Sequence, residues 1–109
     1  MEDWRDVSAA DAIPVGGMLD VAIDGRPIVV CRTGEGWFAV DDRCTHAETP
    51  LHDGWLRGCK LICPLHGAAF DVRDGRVLGP PAFHWLVTHA VRVQEGRILV
   101  QVTADPPRR

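Results

Sequence analysis

The sequence predicts an all-β fold, a small antiparallel β-sandwich or barrel. Short apolar runs alternate with turn-forming residues over positions 18–41, and the same pattern returns over positions 89–102. Both stretches place β-branched residues at every second position, so each strand is expected to bury one face and expose the other. No segment carries the apolar spacing of an amphipathic helix over three turns. Successive hairpins should therefore build the core.

The strands can be placed from their turns. In the first stretch, the apolar runs MLDVAI, PIVVC and GWFAV are separated by DG at 24–25 and by GEG at 34–36. In the last stretch, HAVRV and RILVQV are separated by EG at 95–96. These pairs are typical of tight hairpin turns, so both stretches are predicted to form hairpins.

The rest of the chain shows weaker structural signals. The only helical signal is a single turn near residues 8–12, which Ser8 could cap. Residues 43–67 break the strand pattern and are predicted to form two loops around a short DGWLRG hairpin. Gly54 and Gly58 bracket this hairpin, and turn chemistry alone is expected to explain them.

Length and charge exclude several classes of protein. The 109 residues suit one compact domain, predicted to span 1–109. The formal net charge of −3 offers no electrostatic footprint for nucleic acid or an anionic membrane, so neither is an expected partner. No run approaches the ~20 apolar residues of a membrane span, and the start MEDWRD is acidic where a signal peptide is basic. The expected location is the cytoplasm.

The four cysteines do not suggest a disulfide framework. Two disulfides would suit a secreted protein with a self-contained cysteine spacing, and neither condition is met. Reduced thiols or metal ligands are therefore expected. Cys31 ends an apolar run and is predicted to be a small buried side chain, whereas the role of Cys59 stays open.

The other two cysteines each lead a motif that ends in a histidine. Cys44 begins CTH, which ends at His46, and Cys63 begins CPLH, which ends at His66. A zinc finger instead places its cysteines close together and its histidines close together, so that each half site chelates with like ligands. A cluster of two irons bridged by sulfide can take both cysteines on one iron and both histidines on the other. We therefore favour a [2Fe-2S] cluster, with a structural zinc site as the alternative.

This pair of motifs, Cys-X-His followed by Cys-X-X-His, resembles the ligand pattern of the Rieske iron–sulfur family. The resemblance extends over residues 43–81, and the flanking strands agree with it. It implies a Rieske fold whose cluster-binding subdomain spans about 43–81, with one [2Fe-2S] cluster per chain. It also implies that Cys44 and Cys63 ligate the buried iron while His46 and His66 ligate the outer iron, where the reducing electron is expected.

The chain departs from the quinol-oxidising branch of that family in both loops. That branch resembles it at the ligands but has a further cysteine in each loop, joined as a disulfide, where Thr49 and Leu65 stand here. It also has a serine and a tyrosine that bond to cluster sulfur, where this chain has Ala68 and Phe70. Because such hydrogen bonds stabilise the reduced cluster, their loss predicts a low reduction potential.

In these departures the chain is similar to the Rieske-type ferredoxins of bacterial aromatic-ring dioxygenase systems. The resemblance implies an electron carrier and not an enzyme. It would receive one electron from a flavoprotein ferredoxin reductase and deliver it to a Rieske non-haem iron oxygenase component. A complete oxygenase needs a further iron domain, for which 109 residues leave no room. The Rieske-like small subunit of an assimilatory nitrite reductase is an alternative of similar length.

Two further loop features fit the resemblance. Residues 79–81, Gly-Pro-Pro, resemble the stiff proline loop that covers the cluster in this fold. Gly67, directly after His66, is expected to let the second loop pass close to the cluster.

Other side chains are predicted to have structural roles. The four tryptophans are expected to fill the core, with Trp55 a candidate for the docking face. Three histidines outside the motifs are expected to be surface or half-buried side chains: His52, His84 and His89. Four acidic residues near the first motif could complement a basic partner, although a solvated surface is the commoner outcome for such charges: Asp41, Asp42, Glu48 and Asp53.

Overall fold

The computed structural model describes residues 3–45, 49–65, 67–79 and 84–103. Within these ranges there are ten strands: β1 (Trp4–Ala9), β2 (Met18–Ile23), β3 (Arg26–Thr33), β4 (Gly36–Asp41), β5 (Trp55–Arg57), β6 (Lys60–Ile62), β7 (Ala69–Asp71), β8 (Val77–Gly79), β9 (Thr88–Gln94) and β10 (Arg97–Gln101). They form two antiparallel sheets, ordered β1-β10-β9-β4-β3-β2 and β5-β6-β7-β8. The predicted all-β fold is therefore confirmed. Across the described ranges, no helix has the length and apolar character needed to cross a membrane.

The β2–β3 and β9–β10 hairpins turn at the DG and EG residue pairs, as predicted. Asp24 and Gly25, between β2 and β3, have φ values of 52° and 81°. Glu95 and Gly96, between β9 and β10, have φ values of 53° and 76°. Two successive positive φ values give the tight turn whose twist matches that of the paired strands. Local sequence thus accounts for both hairpins.

Strand β1 was not predicted, and the capping role expected of Ser8 was wrong. Ser8 lies within β1, and its hydroxyl donates to the carbonyl of Ala9. The turn that follows is a 3₁₀ turn, Ala10–Ala12, without a side-chain cap. β1 pairs with β10, with Trp4 opposite Gln101, so its partner lies at the far end of the chain and no nearby turn marks it.

The six-stranded sheet curls until its two edge strands approach each other. Arg5 on β1 donates a hydrogen bond of 2.8 Å to Asp24, which directly follows β2. The sheet therefore nearly closes into a barrel, as the sequence predicts.

Strands β3 and β4 lie between two apolar cores. Ile28 and Val30 of β3 point into the barrel, whereas Val29 and Cys31 point towards the four-stranded sheet. β3 is therefore buried on both faces, which corrects the prediction that every strand exposes one face. The barrel core contains Ile13, Ile23, Ile28, Val30, Ala39, Ile98 and Val100. The second core contains Val29, Cys31, Val40, Cys44, Leu51, Leu61, Cys63, Ala68, Phe70, Val72 and Leu86.

None of the four tryptophans is fully buried, contrary to the prediction that they fill the core, although Trp37 packs against the edge of the barrel core. The rings of Trp4 and Trp37 are covered by the guanidinium groups of Arg92 and Arg32, at 4.3 and 4.8 Å from the ring centroids. Trp55 is 55% exposed. The cores are filled mainly by aliphatic side chains together with Phe70, so the indole N–H groups need no fully buried partner.

His89 and Asp41 connect β9 to β4 inside the six-stranded sheet. The imidazole of His89 is buried, contrary to the prediction of a surface or half-buried side chain. Its Nε2 lies 2.9 Å from Asp41 Oδ1, and its Nδ1 accepts the amide N–H of Thr103 at 3.0 Å. Both ring nitrogens have partners, which makes burial possible. Burial alone would raise the pKa of Asp41, but hydrogen bonds from His89 and Arg26 leave it below its ordinary value. Asp41 is thus a half-buried charge.

Candidate metal centre

Cys44 and Cys63 come together in the second core. Cys44 follows β4 and Cys63 follows β6, and their exposures are 2% and 0%. Their side chains are hydrogen-bonded to each other, and neither takes part in a disulfide. The structure therefore brings together the cysteines of the two predicted motifs.

The second loop, residues 63–68, is the turn of the β6–β7 hairpin. The amide of Cys63 donates to the carbonyl of Ala68 at 2.7 Å and closes the loop at its base. The amide of Leu65 donates to the sulfur of Cys63. Burial raises the pKa of the Cys63 thiol, the Leu65 amide acts against this, and the nearby Cys44 thiol adds to it. The net result is a pKa above the ordinary cysteine value.

The first loop runs from the end of β4 to a 3₁₀ turn, Leu51–Asp53. The amide of Cys44 donates to the carbonyl of Thr49 at 3.0 Å, across the loop. The hydroxyl of Thr45 donates to the carbonyl of His84 at 2.7 Å, and His84 is exposed, as predicted. The first bond closes the loop on itself, and the second fixes its start to the segment before β9.

Gly54 joins the end of the first loop to the strand that leads into the second. A Cβ at Gly54 would lie 1.9 Å from the carbonyl oxygen of Ile62, the residue before Cys63. Turn chemistry is therefore the wrong explanation for Gly54, which is needed for a close backbone approach. The explanation is correct for Gly58, whose φ is 58° in the β5–β6 turn and whose Cβ would meet open space.

The histidine half of the predicted ligand set lies outside the described residues. The predicted residues of this region that are not described are His46, Glu48, His66, Pro80 and Pro81. Leu65 and Gly67, on either side of His66, are exposed, and Gly67 has a φ of 72°. In the described ranges, no three His, Cys, Asp or Glu side chains are grouped so as to hold a metal ion. Of the four predicted ligands, the described ranges therefore contain the two cysteines, Cys44 and Cys63.

The cysteine pair fits a thiolate-bound metal cluster. Two thiolates in contact in an apolar core repel each other and lose hydration, and a metal cation offsets both costs. The Leu65 amide supplies the kind of N–H···S bond that orients and stabilises a sulfur ligand. Apolar side chains of Leu51, Leu61 and Phe70 surround the pair in the second core. The donor set therefore suits iron or zinc.

The surroundings of the other two cysteines, Cys31 and Cys59, indicate structural roles. Cys31 is fully buried, and burial, followed by the nearby Asp42 and Cys59, raises its pKa to about 12. This confirms the prediction of a small buried side chain. Cys59 is half-buried, and its thiol donates to the hydroxyl of Thr33 at 3.6 Å.

Sequence reasoning missed a pair at the base of the first loop. Asp42 was expected at a solvated surface, but its carboxylate is buried and contacts the Nδ1 of His52. The same carboxylate accepts the amide N–H of His52 at 2.8 Å. No motif marks this pair, because the two residues meet only once the loop has folded. His52 itself is half-buried, as predicted, and Asp53 beside it is exposed.

Comparison with known proteins identifies the family. The model of the Rieske [2Fe-2S] domain matches residues 3–98. The chain is 32% identical over 102 residues to the ferredoxin component of a naphthalene 1,2-dioxygenase system from Pseudomonas aeruginosa, covering 94% of this chain and 98% of that protein. A chain in the complex of reduced oxygenase and oxidized ferredoxin of carbazole 1,9a-dioxygenase has a TM-score of 0.86 and 35% identity, with coverages of 90% and 92%.

A third likeness concerns the fold alone. A protein described as the small subunit of an NADH-dependent nitrite reductase from Mycobacterium tuberculosis has a TM-score of 0.83 at 24% identity, with coverages of 96% and 99%.

The family match spans both motifs and most of both sheets, so it favours the iron–sulfur cluster over the zinc site. The predicted Rieske fold and [2Fe-2S] cofactor are thus confirmed, and the chain belongs to the Rieske [2Fe-2S] domain family.

Proposed function

We propose that this chain is the ferredoxin of a bacterial oxygenase system, an electron carrier without a catalytic site of its own. One observation carries the proposal: two loops present a buried, disulfide-free cysteine pair in a chain that aligns with a dioxygenase ferredoxin over nearly the full length of both. The whole chain, residues 1–109, would act as one domain, with residues 43–81 as its cluster-binding part.

The proposed ligands are Cys44 and Cys63 on one iron and His46 and His66 on the other. The burial of both thiols and the hydrogen bond from the Leu65 amide to the Cys63 sulfur support the two cysteine ligands. The spacing of the two motifs supports the two histidine ligands. When bound, a [2Fe-2S] cluster supplies one-electron redox chemistry, at a potential that neutral imidazole ligands raise above that of an all-cysteine cluster.

The protein around this site keeps water from the cysteine side and leaves the second loop accessible. The second core covers both thiols with apolar side chains. Leu65, however, is 44% exposed, and Gly67 is exposed on the other side of His66. A partner protein that docks over the second loop would therefore approach the histidine side, in the small interface typical of transient redox complexes.

A low potential follows from the residues that replace two hydroxyl donors. Ala68 and Phe70 are both fully buried in the second core, and neither can donate a hydrogen bond to cluster sulfur. Without such donors the reduced cluster is less stabilised, so quinol oxidation is an unsuitable role. Electron delivery to an oxygenase suits a low-potential carrier.

The proposed partners are a flavoprotein ferredoxin reductase, which supplies the electron, and a Rieske non-haem iron oxygenase component, which receives it. The naphthalene and carbazole dioxygenase relatives support the second partner and favour aromatic compounds as the substrates of that oxygenase. The cytoplasm is the proposed location, since four free cysteines suit a reducing compartment. The nitrite reductase small subunit is the second candidate function, supported by its shared fold.

Reconstituted electron flow tests the proposal. The chain is purified anaerobically and mixed with NAD(P)H and a flavoprotein ferredoxin reductase. We then add either an oxygenase component with aromatic substrates or the large subunit of a nitrite reductase. We expect the reductase to bleach the visible absorbance of the chain and hydroxylated product to form only when the chain is present. Nitrite reduction without aromatic product would favour the second candidate, and a colourless chain without acid-labile sulfide would contradict both.

A further inference from the structure

The base of the first loop contains a buried carboxylate, that of Asp42, which among the described residues is bonded by His52. The side chain of Asp42 is 4% exposed and lies two residues before Cys44. The amide of Asp42 donates to the carbonyl of Pro27 in β3 at 3.0 Å, which fixes the main chain to the six-stranded sheet. In the part of the chain that is described, only His52 bonds to its carboxylate oxygens. A buried carboxylate depends on such partners, because an unpaired buried charge is strongly unfavourable.

His52 satisfies both oxygens of that carboxylate. Its amide donates to Oδ1 at 2.8 Å, and its Nδ1 contacts Oδ2. His52 lies in the 3₁₀ turn Leu51–Asp53, whose first residue, Leu51, is fully buried in the second core. Asp42 and His52 therefore bracket the whole segment that carries Cys44 and the CTH motif.

The surroundings of the ring favour an imidazole that bonds to carboxylates over one that binds metal. The Nε2 of His52 lies 3.5 Å from Asp53 Oδ1, and a surface cavity that the ring lines is also lined by Asp20 of β2 and by Arg43. The hydrogen bond to Asp42 raises the pKa of His52, with smaller contributions from Asp20 and Asp53. The protonated ring can then donate to the buried carboxylate, which strengthens the bond.

We propose that His52 is a positioning residue of the iron–sulfur site, which closes the first loop onto the buried carboxylate of Asp42 and so fixes the position of Cys44. The inference rests on the proposed function, because it concerns how this chain holds one of the proposed ligands. His52 acts through Asp42 and the loop backbone, and no contact with the cluster is required of it.

Three single variants of the 109-residue chain test the proposal. His52→Ala removes the side-chain bond but keeps the amide, whereas His52→Asn restores a side-chain N–H donor near the position of Nδ1. His84→Ala is the matched control, because it changes a histidine whose main chain bonds to the same loop but keeps the carbonyl that Thr45 binds. Two quantities are measured for each: the rate at which the visible spectrum is lost in the presence of an iron chelator, and hydrogen exchange at the Cys44 amide.

We expect His52→Ala to lose the visible spectrum about tenfold faster than the wild-type chain and to exchange the Cys44 amide faster by a similar factor, as the loss of a charge-assisted hydrogen bond predicts. His52→Asn should recover most of both effects, and His84→Ala should match the wild type. The proposal is wrong if His52→Ala matches the wild type, or if His52→Asn is as impaired as His52→Ala. If the wild-type chain binds no cluster, the proposed function fails, but exchange at the Cys44 amide still decides whether His52 holds the loop.

Discussion

The two loops that carry the cysteines are held in different ways. The second loop is a hairpin turn, closed by the backbone bond from Cys63 to Ala68 between two strands that continue the ladder. The first loop leaves one sheet and enters a 3₁₀ turn, and at its base the side chains of Asp42 and His52 hold it. The sheet thus positions one cysteine, whereas side-chain contacts position the other.

This difference predicts different sensitivities to change. A backbone ladder tolerates most side-chain substitutions, because its hydrogen bonds belong to the main chain. A loop held by side chains depends on the identity of a few residues. Substitutions and pH changes should therefore act unequally on the two loops, except where they remove a ligand.

The largest effect on the cluster is expected from substitution of a proposed ligand, because each loop contributes one cysteine and one histidine. His66→Ala should abolish the visible iron–sulfur spectrum, because one of the two proposed imidazole ligands is lost. His84→Ala, outside the motif spacing, should leave the spectrum unchanged. Absorption spectra and iron analysis of both purified variants provide the measurement. Equal loss of colour in both would show that the ligands are wrongly assigned.

The next largest effect is expected at the junction of the two loops. Gly54→Ala would place a Cβ 1.9 Å from the carbonyl oxygen of Ile62, so the backbone has to move and both loops with it. We expect a loss of about 3 kcal/mol in the free energy of unfolding, measured by chemical denaturation of the holoprotein.

Gly58→Ala is the matched control for that junction. Gly58 has a positive φ but open space around it, so an alanine there brings only conformational strain of about 1 kcal/mol. Equal losses of unfolding free energy in the two variants would mean that conformational strain explains the glycine at position 54, and not the close approach of its backbone to Ile62.

Opposite pH dependences are expected for the contacts beside the two loops. The raised pKa of His52 means that its bond to Asp42 contributes fully below the ordinary histidine pKa of about 6.5 and is lost as the pH rises through the raised value. The pKa of Asp71, which follows the second loop on β7, is lowered chiefly by its hydrogen bond from Arg73. That contribution is present above about pH 3.9 and is lost as the pH falls through the lowered value.

Thermal unfolding midpoints across pH measure these contributions. The difference between the wild-type chain and His52→Ala should shrink as the pH rises, and the difference between the wild-type chain and Asp71→Asn should shrink as the pH falls. Each difference corresponds to about 1 kcal/mol in the free energy of unfolding, because the partners are partly exposed and solvent screens the charges. Differences that do not vary with pH would contradict the assigned charge states.

The smallest effect is expected on the reduction potential. The double variant Ala68→Ser and Phe70→Tyr restores the two hydroxyl donors and should raise the midpoint potential by on the order of 50 mV, the equivalent of about one net hydrogen bond. Ala69→Ser is the control, because adjacent residues on a strand point to opposite faces. Voltammetry that shows an unchanged or lowered potential in the double variant would contradict the hydrogen-bond argument.

The sequence could predict those features that depend on neighbouring residues. The β2–β3 and β9–β10 hairpins follow from their DG and EG turns, and the cysteine pair follows from two compact motifs. The short strands β7 and β8 escaped prediction, because three residues are too few to show alternation. β1 escaped it because its partner is β10, at the other end of the chain.

The contacts at the base of the first loop could not be predicted for a related reason. Asp42 resembles any solvated aspartate in the sequence, and only the fold shows that its carboxylate is buried against His52. His89 was misplaced in the same way, since its burial requires Asp41 and the Thr103 amide as partners. Buried polar groups depend on tertiary partners, which local patterns do not record.

Pulsed electron paramagnetic resonance of the reduced chain with ¹⁵N-labelled histidine shows directly whether two cysteines and two histidines from these loops hold one [2Fe-2S] cluster. We expect a rhombic signal with couplings from two imidazole nitrogens. A signal without histidine couplings, or reduced protein without any iron–sulfur signal, would contradict this ligand set.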